Sequence, residues 1–459
     1  MIASLALAPV YAVPLALVLA GWAAHHRRRS RRNRAMLSRN RAAGLAEPPS
    51  LHPRIDASLC IGCGACVRAC PEADVLGLVG RTATLIEPWA CVGHGVCRDA
   101  CPTGAITLVF GTPTRGIEVP VLGPGGETSV AGVHIAGELG GLGLIRNAIN
   151  QGRDVIDHIA ATLPPRPAGA ADDLFDVVIV GCGPAGLSAA LGAQAHGLRF
   201  VAIDQASLGG SVAHYPRGKL VMTNPAQLPL IGEVRLGEIS KEGLLAFWQN
   251  LLDRTGLAPR FEEHVRTIEP DAAGFTVVSD KGQYRTRRVL LAMGRGGTPR
   301  RLGVPGEDLA KVVYRLTDPG QYAGQRVMVV GGGNSALEAA IALAEVPDTA
   351  VTLVHRGAAF ARARAENRDA VENLDAAGAI TVLRNARPLA IAPGEVTLAD
   401  AQGTRTIAND AVIVCAGGTM PREWLAHIGV AVETHHGQPA NPDLGTIAAD
   451  ARQAAPATA

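Results

Sequence analysis

Two cysteine runs carry the most specific chemistry in this chain. Cys60-Ile-Gly-Cys63-Gly-Ala-Cys66-Val-Arg-Ala-Cys70-Pro71 has the spacing C-x2-C-x2-C-x3-C-P. Three thiolates so close wrap one iron–sulfur cluster, and the fourth reaches a second cluster. Gly62 and Gly64 allow the tight wrapping. Cys91-Val-Gly-His94-Gly-Val-Cys97-Arg-Asp-Ala-Cys101-Pro102 repeats the spacing, with His94 where the second cysteine belongs. By the crossing rule, Cys60, Cys63, Cys66 and Cys101 hold the first 4Fe-4S cluster. Cys91, Cys97 and Cys70 hold the second, with His94 as candidate fourth ligand, since imidazole replaces thiolate in some such centres. A 3Fe-4S cluster with His94 unbound, a water-ligated iron and an absent second cluster are the other outcomes. Zinc is the competing metal, but its sites pair C-x2–4-C elements, not two four-ligand runs each ending in Cys-Pro.

A second chemistry starts at Asp176. The apolar run Val177–Val180 predicts a buried parallel strand, and Gly181-Cys-Gly183-Pro184-Ala185-Gly186 follows as G-x-G-x-x-G. An Ala-rich helical stretch and a second apolar run closed by Asp204 complete the dinucleotide fingerprint. Gly181 permits the turn, Gly183 lets the backbone approach a pyrophosphate, and Gly186 lets helix and strand pack closely. The helix N-terminus offers free N–H groups to the phosphates. Asp204 is placed to accept from a ribose hydroxyl. Val327-Met-Val-Val-Gly331-Gly-Gly333-Asn334-Ser335-Ala336 opens a second unit with the G-x-G-x-x-A variant. Its second strand ends in His355-Arg356, not in an acid. Arg356 is suited to a 2′-phosphate, with Arg362 and Arg364 on the following turn, so the reading is NADPH before NADH.

Length and composition bound the rest. The 459 residues suffice for two or three domains, and a net charge of +2 gives no reason to expect nucleic acid. Nine cysteines, seven of them between Cys60 and Cys101, point to metal ligation rather than disulfides. Residues 1–24 carry no charge, and arginines begin at Arg27. This predicts a transmembrane helix over 1–24, single-pass in the cell inner membrane with the remainder cytoplasmic, and a basic linker over 25–50. A cleaved signal peptide is the alternative.

These motifs carry a resemblance. Segment 51–110 resembles a two-cluster bacterial ferredoxin. Residues 166–300 and 301–418 resemble the FAD and NAD(P) domains of thioredoxin-reductase-like flavoproteins. Residues 419–459 return to the FAD domain and end in a low-information tail, and Ala411–Pro421 reads as the return strand. Gly209-Gly210-Ser211 and Tyr215–Thr223 would lie over the flavin. That family's closing FAD segment is expected near the C-terminus, yet its equivalent stands at 111–165: Gly137-Glu138, then a helix carrying Arg146 and Asn147. The resemblance implies a circular permutation, with Glu138 replacing the usual Asp, and with 162–175 as the new join. No cysteine occurs in 295–330, where thioredoxin reductases place C-x-x-C, so the likeness is to members without a dithiol, such as bacillithiol-disulfide-reductase-like proteins. Cys182 and Cys415 read as packing residues, and His214, His134 and His158 as structural or surface ones.

The fold class is therefore α/β, with two Rossmann-like domains, a small α+β ferredoxin domain and an N-terminal membrane helix. The function implied is an NAD(P)H-dependent oxidoreductase moving electrons between NAD(P)H, FAD and 4Fe-4S clusters. Its partner would be a redox carrier (ferredoxin, cytochrome or quinone), with a homodimer as a further expectation. A flavin-site reductase of a small disulfide or other substrate and a non-enzymatic redox sensor are the alternatives. No acid–base group or nucleophile is required, so no catalytic residue is assigned.

Overall fold

The computed structural model describes residues 3–440 except 43, 44, 46, 49, 73, 142, 167–172, 216–218, 224, 296–299, 361, 362 and 419, with backbone alone for 3–12, 220, 222 and 223. Two compact units emerge. The first is Met1–Thr112 joined by Gln438–Ala440, and the second contains Pro113–Gly437.

The first unit comprises α1 (Ala3–Ala42), β1 (His52–Ile55), α2 (Ala65–Ala69), β2 (Leu76–Val79), β3 (Thr82–Leu85), α3 (Val96–Asp99) and β4 (Ile106–Phe110). Strands β1 and β4 pair antiparallel, β2 and β3 form a hairpin, and Gln438–Pro439 covers the other edge of β4. Helix α1 continues through the arginine run, so residues 25–42 of the expected linker 25–50 are helical. The cause is tertiary. Asn33 donates to the Leu78 carbonyl at 3.0 Å and Asn40 to the Ile86 carbonyl at 2.7 Å. The Ser30 hydroxyl accepts from the Gly80 amide at 3.0 Å. Both asparagines are buried, and buried polar groups of this kind hold an element only when satisfied.

The expected transmembrane helix over 1–24 finds no support. Among the described residues no helix is long and apolar enough to cross a membrane. The expectation falls partly on residues 1–12, whose side chains lie outside the described residues. No finding supports the inner-membrane placement.

In the second unit, β5 (Ile117–Pro120) and β6 (Val133–Ile135) precede α4 (Ile145–Thr162). Then come β7 (Phe175–Val180), α5 (Pro184–Ala195) and β8 (Phe200–Ile203). Two small antiparallel pairs follow, β9 (Leu220–Thr223) with β12 (Gly237–Ser240) and β10 (Ala226–Leu228) with β11 (Gly232–Val234). Helix α6 (Lys241–Thr255) leads into β13 (Val265–Asp271), β14 (Gly274–Ser279) and β15 (Gln283–Leu291). The sheet order is β13-β14-β15-β7-β8, with β6 parallel to the end of β15. The alternation of β7 divides its side chains between two cores. Val177 and Ile179 face Ile156, Ile159, Leu187 and Trp248; Val178 and Val180 face Phe275, Leu425 and Val430.

The nicotinamide-type domain has a five-stranded parallel sheet, β16-β23-β17-β18-β19: β16 (Val312–Val313), β17 (Arg326–Gly331), β18 (Ala350–His355), β19 (Ile380–Arg384) and β23 (Ala411–Cys415). Helices α7 (Asn334–Ala344) and α8 (Ala365–Ala376) serve it, beside the meander β20 (Arg387–Ala392), β21 (Glu395–Asp400) and β22 (Gly403–Ala408). Strand β23 therefore belongs to this sheet and is not itself the return to the FAD domain. Its all-apolar run is buried between β16 and β17. The return is α9 (Arg422–His427), whose Leu425 enters the other domain's core. β24 (Val432–His435) then pairs antiparallel with β5. The expected join and tail fall partly outside the described residues, at 167–172 and 441–459.

Candidate functional site

The two cysteine runs wrap in the same way. Gly62 and Gly64 have φ 69° and 72°, Gly93 and Gly95 have φ 80° and 79°, and each run passes into a one-turn helix. A Cβ on Gly62 would lie 2.2 Å from the Arg81 carbonyl oxygen, so only glycine fits. His94 thus takes the backbone position of Cys63, between two left-handed glycines.

Cys60, Cys63, Cys66 and Cys101 line one cavity of about 310 Å³, floored by Ile55, Ala83 and Ile106. The Ala83 amide points at Cys60 Sγ at 3.5 Å. Cys97 lies in the electrostatic field of Cys91 and Cys70, the second set. Burial pushes the Cys91 thiol up to about 11 and that of Cys97 to about 12. His94 Nε2 is 3.8 Å from a Glu72 carboxylate oxygen. Among the described residues no three such side chains are close enough to hold a single metal ion. Four thiols spread around one cavity fit a polyatomic cluster better than zinc.

In the second unit, Gly181 (φ 105°) turns β7 into α5. A Cβ on Gly186 would lie 1.7 Å from the Gly181 carbonyl oxygen, and one on Gly210 would lie 3.0 Å from Gly183 Cα. Gly183 caps α5 in extended conformation and Pro184 fills its first turn, where a missing N–H costs nothing. Asp204 is 8% exposed, and its carboxylate accepts from the Cys182 amide at 2.6 Å and the Ala206 amide at 2.8 Å. Part of its work is thus to hold the turn itself. Gly181, Asp204, Gly210, Glu263 and Val265 line a cleft of about 630 Å³.

The segment carrying Glu138 is brought to this turn. A Cβ on Gly137 would lie 3.1 Å from the Ala185 side chain, and one on Gly152 of α4 only 2.0 Å from the Ala185 carbonyl oxygen. The Gly137 amide donates to Gln151 Oε1 at 2.7 Å. The Glu138 side chain keeps an exposed edge, yet the surrounding protein pushes its carboxyl up, with Arg295 opposing. Asn147 turns back to donate to the Gly143 carbonyl at 3.2 Å. Leu144, at the cap of α4, has φ 83°, a strained setting for a branched residue.

Arg295 was not singled out by the sequence. It donates to the Glu118 carbonyl, and its buried Nε has no partner among the described residues. Burial lowers its guanidinium, while Glu138 and Glu118 hold it up. Its one signal is an arginine directly after the turn glycine Gly294.

The second glycine turn differs. A Cβ on Gly331 would lie 2.5 Å from the Cys415 carbonyl oxygen and 2.7 Å from the Ala336 Cβ, so with alanine at 336 position 331 must be glycine. Gly333 caps α7. Asn334 accepts from the Arg364 amide at 2.7 Å and from Asn367 at 3.1 Å, fastening the next loop. The His355 ring packs on Gly332, where a Cβ would lie 2.2 Å away, and on Phe360 at 5.1 Å. His355 therefore braces the turn, while Arg356 is exposed. Arg362 lies outside the described residues.

Between the two domains of this unit, Ser211, His214, Tyr215, Ser335, Glu338 and Cys415 line a cleft of about 880 Å³. Lys219 Nζ meets Glu338 at 2.8 Å across it. The remaining thiols are poor nucleophiles: burial holds Cys182 well up and Cys415 at about 12. His134 is buried, with its Nδ1 3.1 Å from the Gly125 carbonyl oxygen and its ring 6.1 Å from His158, as a structural pair.

Glycine cradles too tight for a Cβ, beside a cleft closed by a buried acid, fit a dinucleotide. The comparisons agree. Residues 178–443 match the family model for pyridine nucleotide-disulphide oxidoreductase, and residues 52–102 match that for a 4Fe-4S dicluster domain. A ferredoxin–NADP reductase of Levilactobacillus brevis is 32% identical over 270 residues, 55% of this chain and 76% of that one. One from Streptococcus mutans is 33% identical over 193 residues, 41% of this chain and 55% of that one. The solved bacillithiol disulfide reductase of Staphylococcus aureus has TM-score 0.50 at 26% identity, covering 56% of this chain and 80% of that one. The thioredoxin-reductase-like resemblance is thereby borne out. The chain belongs to the pyridine nucleotide-disulphide oxidoreductase family, as an FAD-dependent enzyme carrying a 4Fe-4S dicluster domain.

Proposed function

We propose that the protein exchanges electrons between NADPH and an external one-electron carrier through FAD and 4Fe-4S clusters. The observation that carries this reading is one chain with two nucleotide turns and a cavity lined by Cys60, Cys63, Cys66 and Cys101. Bound FAD takes hydride from nicotinamide and parts with electrons singly, as clusters require. The chain's residues bind and orient. Gly181, Gly183, Ala185 and Gly186 receive the flavin pyrophosphate, Gly137, Glu138 and Asn147 close the flavin site, and Asp204 faces the ribose. Gly331, Gly333, Asn334, Ser335 and Ala336 receive NADPH, and exposed Arg356 meets its 2′-phosphate. Cys70, Cys91, His94 and Cys97 hold the second cluster. The packing of Gly137 and Gly152 on Ala185 supports the circular permutation.

The disulfide-reductase alternative has the structural likeness in its favour, but Cys182 and Cys415 are both held protonated by burial. The test is anaerobic purification, iron, sulfide and flavin analysis, then titration with NADPH. Flavin and cluster absorbance should both bleach, and Cys101→Ala should remove the first cluster alone. Full flavin bleaching with clusters that stay oxidised would sink the reading. His94→Cys should keep two clusters and lower the potential of the second, because thiolate adds negative charge.

A further inference from the structure

The two sets of cysteines differ in access. Cys91 and Cys97 of the second set are 7% and 6% exposed. Cys63 of the first set is exposed, Cys60 and Cys101 are half-buried and Cys66 is buried, while Cys70 of the second set is half-buried; the one fully exposed thiol belongs to the first set. Around Cys60 the loop turns two large apolar side chains outward, Leu59 at 50% and Ile61 at 62% exposure. Ile61 also lines the four-thiol cavity, so one residue spans cavity wall and surface. Surface leucines or isoleucines are ordinary singly. Two flanking a redox thiol are a different matter, because electron transfer needs close, dry contact and little buried area.

Charge selects the partner. Arg68 is exposed and donates to the Cys63 carbonyl at 3.2 Å. Arg81 is exposed, with its carbonyl against Gly62. Asp56, an exposed carboxylate near the same loop, accepts from the Ser58 hydroxyl at 2.6 Å and keeps its negative charge, which Arg68 and Arg81 outnumber. Within residues 51–112 four arginines stand against five carboxylates, so the positive rim is local, made by Arg68 and Arg81.

We propose that Leu59 and Ile61, rimmed by Arg68 and Arg81, form the docking surface for an acidic one-electron carrier protein, which exchanges electrons with the first cluster. The assignment rests on the electron-transfer reading above and adds which cluster is the port. The balance is simple. One NADPH gives two electrons and one proton to form NADP⁺, and two carrier molecules each take one electron, with the proton released to solvent. Apolar contact at the centre supplies proximity, and the arginine rim sets encounter rate and salt dependence.

The test uses the full-length holoprotein, an oxidised acidic ferredoxin as probe and basic cytochrome c as control. Binding is measured by titration without NADPH, and reduction of the protein's own clusters by NADPH is followed separately. Leu59→Glu and Arg81→Glu should each weaken ferredoxin binding about tenfold, in the range for an interface anchor or charge. Raising salt should weaken wild-type binding, and neither variant should change cluster reduction by NADPH or turnover with ferricyanide. Unchanged ferredoxin affinity in both variants, or tighter wild-type binding to cytochrome c, overturns the docking surface. So does equal slowing of internal cluster reduction, which would mean that the patch serves the chain's own flavin. Failure of NADPH to reduce the wild-type clusters would instead sink the electron-transfer reading, while the binding titration still judges the surface.

Discussion

The two glycine turns of the flavoprotein unit share a frame and differ in how they are closed. In the first, the turn is locked from three sides: Gly186 has no room for a Cβ, Asp204 accepts from Cys182, and α4 presses on Ala185 through Gly152. In the second, Ala336 replaces the third glycine, and a histidine ring braces the turn from outside. Its charged neighbour Arg356 is left on the surface. The first turn is built like the core around it and suits a cofactor that stays. The second is braced by a side chain rather than by backbone and ends beside an accessible cation, which suits a nucleotide that comes and goes.

Substitutions can break that contrast. Gly186→Ala should cost the most, about 3 kcal/mol or more, because backbone must move to admit the methyl group. The protein should emerge with little flavin, measured by its absorbance ratio and by chemical denaturation. A flavin-replete, equally stable variant would show that the first turn is no tighter than the second. Arg356→Ala should weaken NADPH by about 1.5–3 kcal/mol, the worth of a charge-assisted hydrogen bond, and leave NADH unchanged. Equal losses for both nucleotides, in parallel binding titrations, would remove the 2′-phosphate role. The smallest effect is expected for Ala336→Gly, about 1 kcal/mol of stability from helix propensity, with NADPH affinity kept. A large loss there would mean that the second turn is as constrained as the first.

What was legible in the sequence was what short spacing controls. Gly181, Gly183 and Gly186, and the glycines between the cysteines of each run, dictate local backbone geometry, and the left-handed glycines and the tight turn are there. Glu138 was legible only through a family pattern, because no local rule joins residue 138 to residue 183. Less legible was whatever depended on distant packing. The arginine run of α1 reads as a linker until Asn33 and Asn40 find carbonyls on the hairpin β2–β3. Strand β23 reads as an exit because its apolar run names no sheet. Arg295 escaped notice because its meaning comes from Glu138 and Glu118, each far away in sequence.

The placement of β6 and α4 ahead of β7 in the chain has a consequence for synthesis. A ribosome makes the cysteine runs first, then the segment that carries Glu138, and only afterwards the turn at Gly183. At roughly 5–20 residues per second, the 45 residues between those two positions take a few seconds. During that interval the apolar face of α4, with Ile149, Val155, Ile156 and Ile159, has no α5 to cover it. The dicluster segment 52–102 is already out by then. Iron–sulfur loading can therefore precede flavin capture, and the nascent chain needs protection at α4 before it needs FAD.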